Sequence, residues 1–159
     1  MHNSTLCYIT RGDEVLMLHR VKKKNDINHD KWIGIGGKFE ADESPYECVI
    51  REMLEETGLT PLRLEYRGVV TFVCSSAPSE MMHLFICKET SGIMKTNCDE
   101  GDLQWISKSD LFRLTLWEGD KIFLKLLDER CPFFSLKLVY DNDQLIYHKL
   151  HFADGSNGL

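Results

Sequence analysis

The chain has 159 residues, of which 43% are hydrophobic and 28% are charged, and its formal net charge is -6. This length suits one globular domain, and this composition excludes a fibrous or an intrinsically disordered chain. The acidic balance argues against a general nucleic-acid binder, because such proteins present a basic face that neutralises phosphates. A polyanionic ligand would therefore have to be met locally, through a metal ion.

The amino terminus and the cysteines bear on the cellular compartment. The first residues lack a basic region followed by a long apolar run, and no stretch reaches the roughly 18 apolar residues that span a bilayer. We therefore expect a cytoplasmic protein with no membrane partner. The six cysteines include no Cys-x-x-Cys pair, which favours buried free thiols over disulfides or a zinc site.

The first forty residues have the pattern of strands and loops. Two short apolar runs, residues 6–9 and 15–18, flank the turn signal at 11–13 and predict a hairpin. The polar residues 22–26 lack periodicity and predict a loop, whose lysines are either solvated or form one wall of a site for an anionic ligand. Glycines in the segment 32–37 indicate a backbone that lies close to another group.

Residues 44–58 carry strong helix signals. Ser44 suits the N-cap position, Pro45 suits the first helical position, and Glu47 completes a capping box with Ser44. Gly58 suits the C′ position, where a left-handed backbone ends a helix. These signals predict a helix that begins after Ser44 and ends before Gly58.

The second half of the sequence alternates strand and helix patterns. An apolar stripe at i, i+4 spacing predicts a helix over 117–130 that ends before Pro132. β-branched and aromatic residues predict strands over 64–73, 82–87, 103–106 and 136–140.

This order of elements predicts the fold class. Strands before and after a central helix, with a second helix late in the chain, favour an α+β fold in which a mixed β-sheet is sandwiched between α-helices. We expect one domain over residues 1–152 and a flexible carboxy-terminal tail over 153–159.

Three glutamates share one face of the first predicted helix. At roughly 100° per residue, Glu55 and Glu56 lie within about 60° of Glu52, on either side of it. The opposite side is assigned to the apolar residues Tyr46, Val49, Ile50, Met53 and Leu54. We therefore expect the helix to rest on a sheet through its apolar side and to present its carboxylates to a cleft or to water.

Such an acidic face has two interpretations. In an arbitrary helix it is usually solvated, and repulsion between neighbouring carboxylates then costs only a few tenths of a kcal/mol per pair. In a cleft, a hard divalent cation such as Mg²⁺ removes the repulsion, because it prefers oxygen ligands and is shared between carboxylates and phosphates.

A longer pattern favours the second interpretation. Gly37 is followed after five residues by Glu43, and after seven more by Arg51-Glu52-Met53-Leu54-Glu55-Glu56-Thr57-Gly58-Leu59. This matches the Nudix box, Gly-x5-Glu-x7-Arg-Glu-U-x-Glu-Glu-x-Gly-U with U aliphatic, at every fixed position. A chance match at a given start is on the order of one in 10⁹. The chain therefore resembles the Nudix hydrolases.

Four residues of this segment have roles that follow from their chemistry. Gly36 and Gly37, having no side chains, let a backbone carbonyl approach a metal ion held by the glutamates. Arg51 lies beside the acidic face, where its planar guanidinium suits a pair with Glu43 that ties the loop to the helix.

The resemblance continues outside the box and is strongest to MutX and MutT-like proteins and the mammalian oxidised-purine nucleoside triphosphatase, which remove 8-oxo-dGTP from the nucleotide pool. It is carried by residues 32–38, 98–101, 117–120 and 132–135. It implies metal ligation, direct or through water, by Gly36, Glu52, Glu55, Glu56 and Glu100. The same four glutamates and Arg51 form the implied catalytic group.

The resemblance also implies a substrate site. Lys38 and Arg20 would face phosphate, Thr5 the nucleoside, and Trp117 and Asp120 the base. The alternative is that Trp117 is a core aromatic and that Asp120 caps a helix. The chain departs from the mammalian enzyme at Ile33, which replaces an asparagine that bonds the base, and at Gly119, which replaces an aspartate.

These features predict a Mg²⁺-dependent nucleoside triphosphate pyrophosphohydrolase, with Mn²⁺ as a possible substitute. It would act in nucleotide pool sanitation and so in DNA repair, converting 8-oxo-dGTP and water to 8-oxo-dGMP and pyrophosphate. The expected partner is a small nucleotide and not a nucleic acid, and the protein would be a monomer or a homodimer. Two alternatives stay open: a Nudix hydrolase of another nucleoside diphosphate linked to X, and a sensor that binds a nucleotide without cleaving it.

Overall fold

The computed structural model describes residues 1–158, and the side chains of these residues except Asn97. Within this part of the chain, nine strands form one mixed sheet, accompanied by two α-helices. The helices are α1 (Pro45–Thr57) and α2 (Glu118–Asp128). The strands are β1 (His2–Arg11), β2 (Glu14–His19), β3 (Trp32–Ile33), β4 (Thr60–Cys74), β5 (Ala77–Ser91), β6 (Asn97–Cys98), β7 (Gly101–Ser107), β8 (Phe134–Asp141) and β9 (Gln144–Phe152).

The sheet has the order β6-β7-β2-β1-β5-β4-β8-β9, and β3 pairs with β2. The pairs β1/β5 and β4/β8 are parallel, and the other neighbours are antiparallel. Successive side chains of β1 point to opposite faces, so Leu6 and Tyr8 join a core with Phe123 of α2, whereas Cys7 and Ile9 join a second core beneath α1. The predicted α+β fold, a mixed sheet between helices, is confirmed.

The first hairpin and the first helix form where the local signals place them. β1 and β2 pair antiparallel with Ile9 opposite Leu16. The Ser44 Oγ accepts a hydrogen bond from the Glu47 N–H at 3.2 Å, and the Ser44 N–H donates to the Glu47 carboxylate at 2.7 Å. Gly58 has a left-handed backbone with φ of 77° and donates its N–H to the Leu54 carbonyl. Both predictions are confirmed.

The predicted orientation of α1 is partly wrong. Val49 and Met53 are fully buried, as expected, but Tyr46, Ile50 and Leu54 are exposed, and Glu56 is only 7% exposed. The reason is angular: at about 100° per residue, Val49 lies only about 20° from Glu56, so burying Val49 also buries this glutamate. Glu56 therefore faces the sheet, whereas Glu52 is half-buried and Glu55 is exposed.

The other elements differ from the prediction mainly in length. The strands predicted over 64–73 and 82–87 are the middle parts of the long hairpin of β4 and β5, and the predicted strands 103–106 and 136–140 lie inside β7 and β8. Helix α2 spans 118–128, shorter than the predicted 117–130.

Three strands and a 3-10 turn were not predicted. β3 and β6 have two residues each, and the 3-10 turn Leu111–Arg113 has three. β9 is a nine-residue edge strand of which only Leu150 is buried. A mostly polar strand at the edge of a sheet is fixed by its pairing with β8 and leaves little alternation in the sequence.

The remaining general predictions concern thiols, membranes and the tail. All six cysteines are free, and four of them are buried, which confirms the prediction for the thiols. Among the described residues, no helix is long and apolar enough to cross a membrane.

The carboxy-terminal segment that follows β9 folds back on this strand. The Phe152 N–H donates to the Ser156 carbonyl at 2.9 Å, and the Gly158 N–H donates to the Leu150 carbonyl at 3.0 Å. The flexibility of 153–159 stays a prediction, and Leu159 lies outside the described residues.

Candidate active site

A cleft of about 670 Å³ crosses the protein between the two helices. One end is acidic and is lined by Gly36, Gly37, Glu52 and Glu100. The other end is largely apolar and is lined by Ile33, Phe72, Trp117 and Asp120. Ten of the residues predicted for the site line this cleft: Thr5, Arg20, Ile33, Gly36, Lys38, Arg51, Glu52, Glu100, Trp117 and Asp120. Arg20 and Asp120, which are 100 positions apart in the sequence, thus line the same cleft.

Glu56 lies behind the acidic end of the cleft. The Gly36 N–H donates to its Oε2 at 3.4 Å. Burial, together with the nearby charges of Glu100 and Glu52, raises the pKa of Glu56 to about 9. Burial likewise raises the pKa of Glu52, against the opposing effect of Arg51. When its glutamates are ionised, the acidic end therefore carries more negative charge than the nearby arginine and lysine side chains neutralise.

This cluster suits a hard divalent cation. Within residues 1–158, no three His, Cys, Asp or Glu side chains already surround a common point at metal-binding distances. The charges of Glu52 and Glu100 nevertheless lie close enough to Glu56 to help raise its pKa, and a bound cation removes that repulsion. Glu55 differs, because its side chain is 57% exposed and contacts Arg51 at 3.3 Å on the solvent side of the cluster.

Two glycines bring the backbone to the acidic end. A Cβ atom at Gly36 would lie 1.9 Å from the Thr5 carbonyl oxygen, and one at Gly37 would lie 2.5 Å from Glu52 Oε1. The segment is held by hydrogen bonds from the Thr5 N–H to the Gly37 carbonyl at 2.9 Å and from the Ile35 N–H to the Cys7 carbonyl at 2.8 Å. The close backbone approach that the glycines predicted is confirmed.

Arg51 connects the loop before α1 to the acidic end. Its guanidinium binds Glu43 in a bidentate manner, at 2.5 and 2.9 Å, and donates to Glu52 Oε1 at 2.7 Å and to the Lys38 carbonyl at 3.0 Å. The hydrogen bonds from Arg51 lower the pKa of Glu43 to about 2. The predicted pair with Glu43 is therefore present, and Arg51 orients Glu52 from the side.

Replacing Arg51 with lysine tests this orienting role. A lysine keeps the charge but has no planar fork, so it does not hold Glu43 and Glu52 at the same time. We expect kcat/KM to fall by on the order of 10²-fold, since a small displacement of a catalytic group has effects of that size. Steady-state kinetics measure the change, with Arg11→Lys at the exposed Arg11–Glu14 pair as the matched control. Activity within threefold of the unchanged protein would show that Arg51 does not orient Glu52.

Arg20 is engaged differently from the phosphate contact that was predicted. Its Nε donates to Asp26 at 2.7 Å and its Nη1 donates to Glu100 at 2.6 Å. Lys23 Nζ lies 3.5 Å from the same glutamate. In this structure Arg20 therefore holds Glu100 at the cleft, and a direct contact between Arg20 and phosphate stays a prediction. Lys23 belongs to the run 22–26, whose lysines the sequence predicts as either solvated or one wall of a site for an anionic ligand, whereas no role in the site was predicted for Asp26.

Trp117 serves both the core and the cleft. The residue is 5% exposed and forms edge contacts with Phe72 and Tyr140, with ring centroids 5.6 and 4.9 Å away. Its Nε1–H donates to Asn28 Oδ1 at 2.7 Å, which fixes the plane of the indole. Neither Asn28 nor Phe72 was predicted, since they reach the site from a loop and from β4. The core role and the cleft role of Trp117 are thus compatible.

Asp120 lies in the first turn of α2 and is 6% exposed. The N-cap position of this helix belongs to Trp117, so the alternative role of Asp120 as the capping residue is excluded. Burial raises the pKa of Asp120 to about 8, and the Lys31 ammonium opposes the shift. Near neutral pH this carboxyl is therefore mostly protonated, and it both donates and accepts hydrogen bonds.

The other predicted substrate residues border the middle of the cleft. The Thr5 hydroxyl lies 3.4 Å from Cys48 Sγ on the α1 side. Ile33 is half-buried and pairs with Leu18 of β2. Lys38 is exposed at the rim, and its backbone carbonyl accepts from Arg51. The contacts of these residues with a nucleotide stay predictions.

Comparison with known proteins shows the family to which the chain belongs. The NUDIX domain family matches residues 1–127. YvcI of Bacillus subtilis, described as an uncharacterized Nudix hydrolase, is 33% identical over 120 residues, which are 73% of this chain and 72% of the relative. The oxidized purine nucleoside triphosphate hydrolase of Mus musculus is 28% identical over 151 residues, 94% of each chain. A crystal structure of a mutator MutT protein from Bacillus halodurans has a TM-score of 0.83 and 29% identity, covering 94% of this chain and 97% of that chain.

Proposed function

Because the chain belongs to the family of Nudix hydrolases, which act on phosphoanhydride bonds, we propose that it is a Mg²⁺-dependent pyrophosphohydrolase of oxidised purine nucleoside triphosphates. In this reaction water attacks 8-oxo-dGTP and gives 8-oxo-dGMP and pyrophosphate. One observation carries the proposal: a carboxylate cluster backed by the buried Glu56 and a half-apolar pocket with Trp117 and Asp120 belong to one cleft. The first suits a metal-bound triphosphate and the second suits a purine.

At the acidic end, the residues divide into three roles. Glu52, Glu56 and Glu100, with the Gly36 carbonyl, would hold Mg²⁺, which when bound neutralises phosphoryl oxygens and lowers the pKa of water. One of these three glutamates accepts the proton of the attacking water. Arg51 keeps Glu52 in place, and Lys38 at the rim supplies positive charge for the phosphates. Glu55 contributes charge from the solvent side.

At the apolar end, the proposal depends on the protonated state of Asp120. A carboxyl group that carries its proton complements a purine edge with both donors and acceptors. The flat indole of Trp117 offers an apolar surface beside it. Ile33 contacts the base only through apolar atoms, whereas the asparagine of the mammalian enzyme forms a hydrogen bond there. Asp120 and its neighbours must therefore provide the selectivity for the base.

Two further points belong to the proposal. The similarity to the mouse relative, whose name specifies oxidised purine nucleoside triphosphates, supports a role in sanitising the nucleotide pool and thus in DNA repair. We place this role in the cytoplasm, in a monomer or a homodimer that binds free nucleotides. Mn²⁺ would replace Mg²⁺ as the ion. All glutamates of the box are retained, which favours a catalyst over a sensor.

The ratio of kcat/KM for 8-oxo-dGTP to that for dGTP tests the proposal. We expect a ratio of at least about ten, since a hydrogen-bonding pocket discriminates on that scale or above. The products should be the nucleoside monophosphate and pyrophosphate, identified by chromatography. A ratio near one would overturn the sanitising role but leave the hydrolase. Preferential cleavage of a nucleotide sugar or a dinucleotide in the same panel would favour a different nucleoside diphosphate substrate.

A further inference from the structure

A cation lies against Trp117, which lines the apolar end of the cleft, and neither the Nudix box nor the resemblance assigns this cation a role. Lys31 immediately precedes β3, and its Nζ lies 4.6 Å from the centroid of the Trp117 ring. The Asp120 N–H donates to the Trp117 carbonyl at 3.0 Å, so the carboxyl-bearing residue is held next to the same indole. An ammonium, an indole face and a residue that bears a carboxyl group therefore lie near one another at the apolar end of the cleft, which we call the base end.

The position of Lys31 is fixed by its surroundings. Its N–H donates to the Asn28 carbonyl at 2.9 Å, and its carbonyl accepts from the Arg20 N–H at 3.0 Å. The side chain of Asn28 in turn accepts the hydrogen bond from the Trp117 indole. The next residue, Trp32, donates its N–H to the Thr115 carbonyl at 2.9 Å. The loop that carries Lys31 is thus tied to the residues before α2, and Lys31 is held beside Trp117, which lines the cleft.

The chemistry of this ammonium and this carboxyl group is selective. An ammonium group has three donors and no acceptor, whereas a carboxyl group supplies an acceptor. A purine with a carbonyl oxygen at C6 offers an acceptor there and N–H donors beside it, which complement the two groups. A purine with an amino group at C6 offers a donor, which an ammonium does not accept. A base stacked on Trp117 would displace the ammonium from the ring face to the edge of the base.

We propose that Lys31 is a specificity-determining residue that makes the site select 6-oxo purines over 6-amino purines. This inference rests on the proposed function, because it concerns the base end of the same cleft. In this proposal Lys31 and Asp120 together distinguish 6-oxo from 6-amino purines, which the apolar side chain of Ile33 does not do. It requires no change in the acidic end, where the reaction takes place.

Three variants test the proposal. Lys31→Met removes the charge at similar length, Lys31→Arg keeps the donors, and Lys24→Met removes a charge from the same loop as a control. The measured quantity is kcat/KM for dGTP divided by kcat/KM for dATP. The corresponding ratio is also measured for the oxidised pair, 8-oxo-dGTP and 8-oxo-dATP. In the unchanged protein and in Lys24→Met the 6-oxo substrate should be preferred. Lys31→Met should lower this preference at least about tenfold, mainly through KM, and Lys31→Arg should keep it within threefold.

Two results would overturn the inference. One is an unchanged protein without any preference for 6-oxo purines. The other is a Lys31→Met variant that loses activity equally on both bases, which would give Lys31 only a structural role at Trp117. A second measurement distinguishes failure of this inference from failure of the proposed function. If no triphosphate is hydrolysed, calorimetric binding of dGTP and dATP to the unchanged protein and to Lys31→Met still measures the selectivity.

Discussion

Replacing Glu56 with glutamine should lower kcat by at least about a thousandfold at saturating Mg²⁺. The amide keeps the shape of the side chain and accepts the hydrogen bond from the Gly36 N–H, which Glu56 Oε2 accepts at 3.4 Å. It lacks the negative charge that a hard divalent cation requires from its ligands. The loss therefore measures the charge of Glu56 and not its contribution to packing. Steady-state kinetics with a triphosphate substrate give the value.

The same variant should be more stable than the unchanged protein when no divalent cation is present. Burial and the nearby charges of Glu100 and Glu52 raise the pKa of Glu56 to about 9. The folded protein therefore keeps a proton that the unfolded chain releases, so this group costs stability increasingly as the pH rises from its ordinary value of 4.5 towards 9. Glutamine does not titrate, so the melting temperature in EDTA should be higher in the variant by a few degrees at pH 8.

A matched control is available on the same helix. Glu47→Gln changes the exposed capping residue at the start of α1, outside the cleft. It should leave kcat within about threefold and cost on the order of 1 kcal/mol of stability or less. Near-normal kcat in Glu56→Gln would contradict the assignment of Glu56 to the metal site, and the opposite signs of its two expected effects exclude simple misfolding as the cause of a loss.

The ends of α1 were predictable from the sequence because they depend on local chemistry. The Ser44–Glu47 capping box and the left-handed Gly58 involve residues at most four positions apart. The Nudix box lies in the same segment, so the segment that supplies the acidic end was located as well. Interactions between near neighbours leave a pattern that a single sequence shows.

The buried face of α1 was not predictable in the same way. Ile50 and Leu54 are more apolar than Glu56, yet they are exposed and Glu56 is buried. A rule that buries the most apolar side fails here because Val49 is buried only about 20° away from Glu56 on the helix, so that both face the sheet. The exception to the hydrophobic pattern thus coincides with the proposed catalytic residue, as is common where function opposes stability.

The two ends of the cleft were only partly predictable, since each assembles from distant segments. Arg20 and Glu100 are 80 positions apart, and Asn28 and Trp117 are 89 apart. The resemblance pointed to Trp117 and Asp120, but not to Asn28 or Lys31, which lie in a loop without periodicity. Only the pairing of β2 with β7 and the packing of α2 bring these residues together.

The addition of one methyl group at Gly36 should have an effect as large as the loss of Glu56. The Cβ atom of an alanine would lie 1.9 Å from the Thr5 carbonyl oxygen and 2.6 Å from the Thr5 carbonyl carbon. Both are backbone atoms of β1, so no side-chain rotation relieves the overlap. The segment 35–37 would have to move away from β1 and break the hydrogen bonds that join Ile35 and Gly37 to it.

Gly36→Ala should therefore unfold at least about 8 °C below the unchanged protein, because several kcal/mol are lost and each costs roughly 2–4 °C. At a temperature where the variant is folded, kcat/KM should fall at least about a hundredfold, since the Gly36 N–H no longer reaches Glu56. Calorimetry and kinetics on the same preparation measure both effects.

Gly12→Ala provides the contrast that identifies the cause. Gly12 has a left-handed φ of 57° and no atom within 4 Å of an added Cβ, so an alanine there meets only backbone strain of roughly 1–2 kcal/mol and lies far from the chemistry. It should keep full kcat with a small decrease in melting temperature. If Gly36→Ala behaved like Gly12→Ala, the segment would be free to shift, and the contact between the Gly36 backbone and Thr5 would not be what positions Glu56. A loss of kcat confined to Gly36→Ala would instead show that close contact with β1 holds the metal-binding backbone in place.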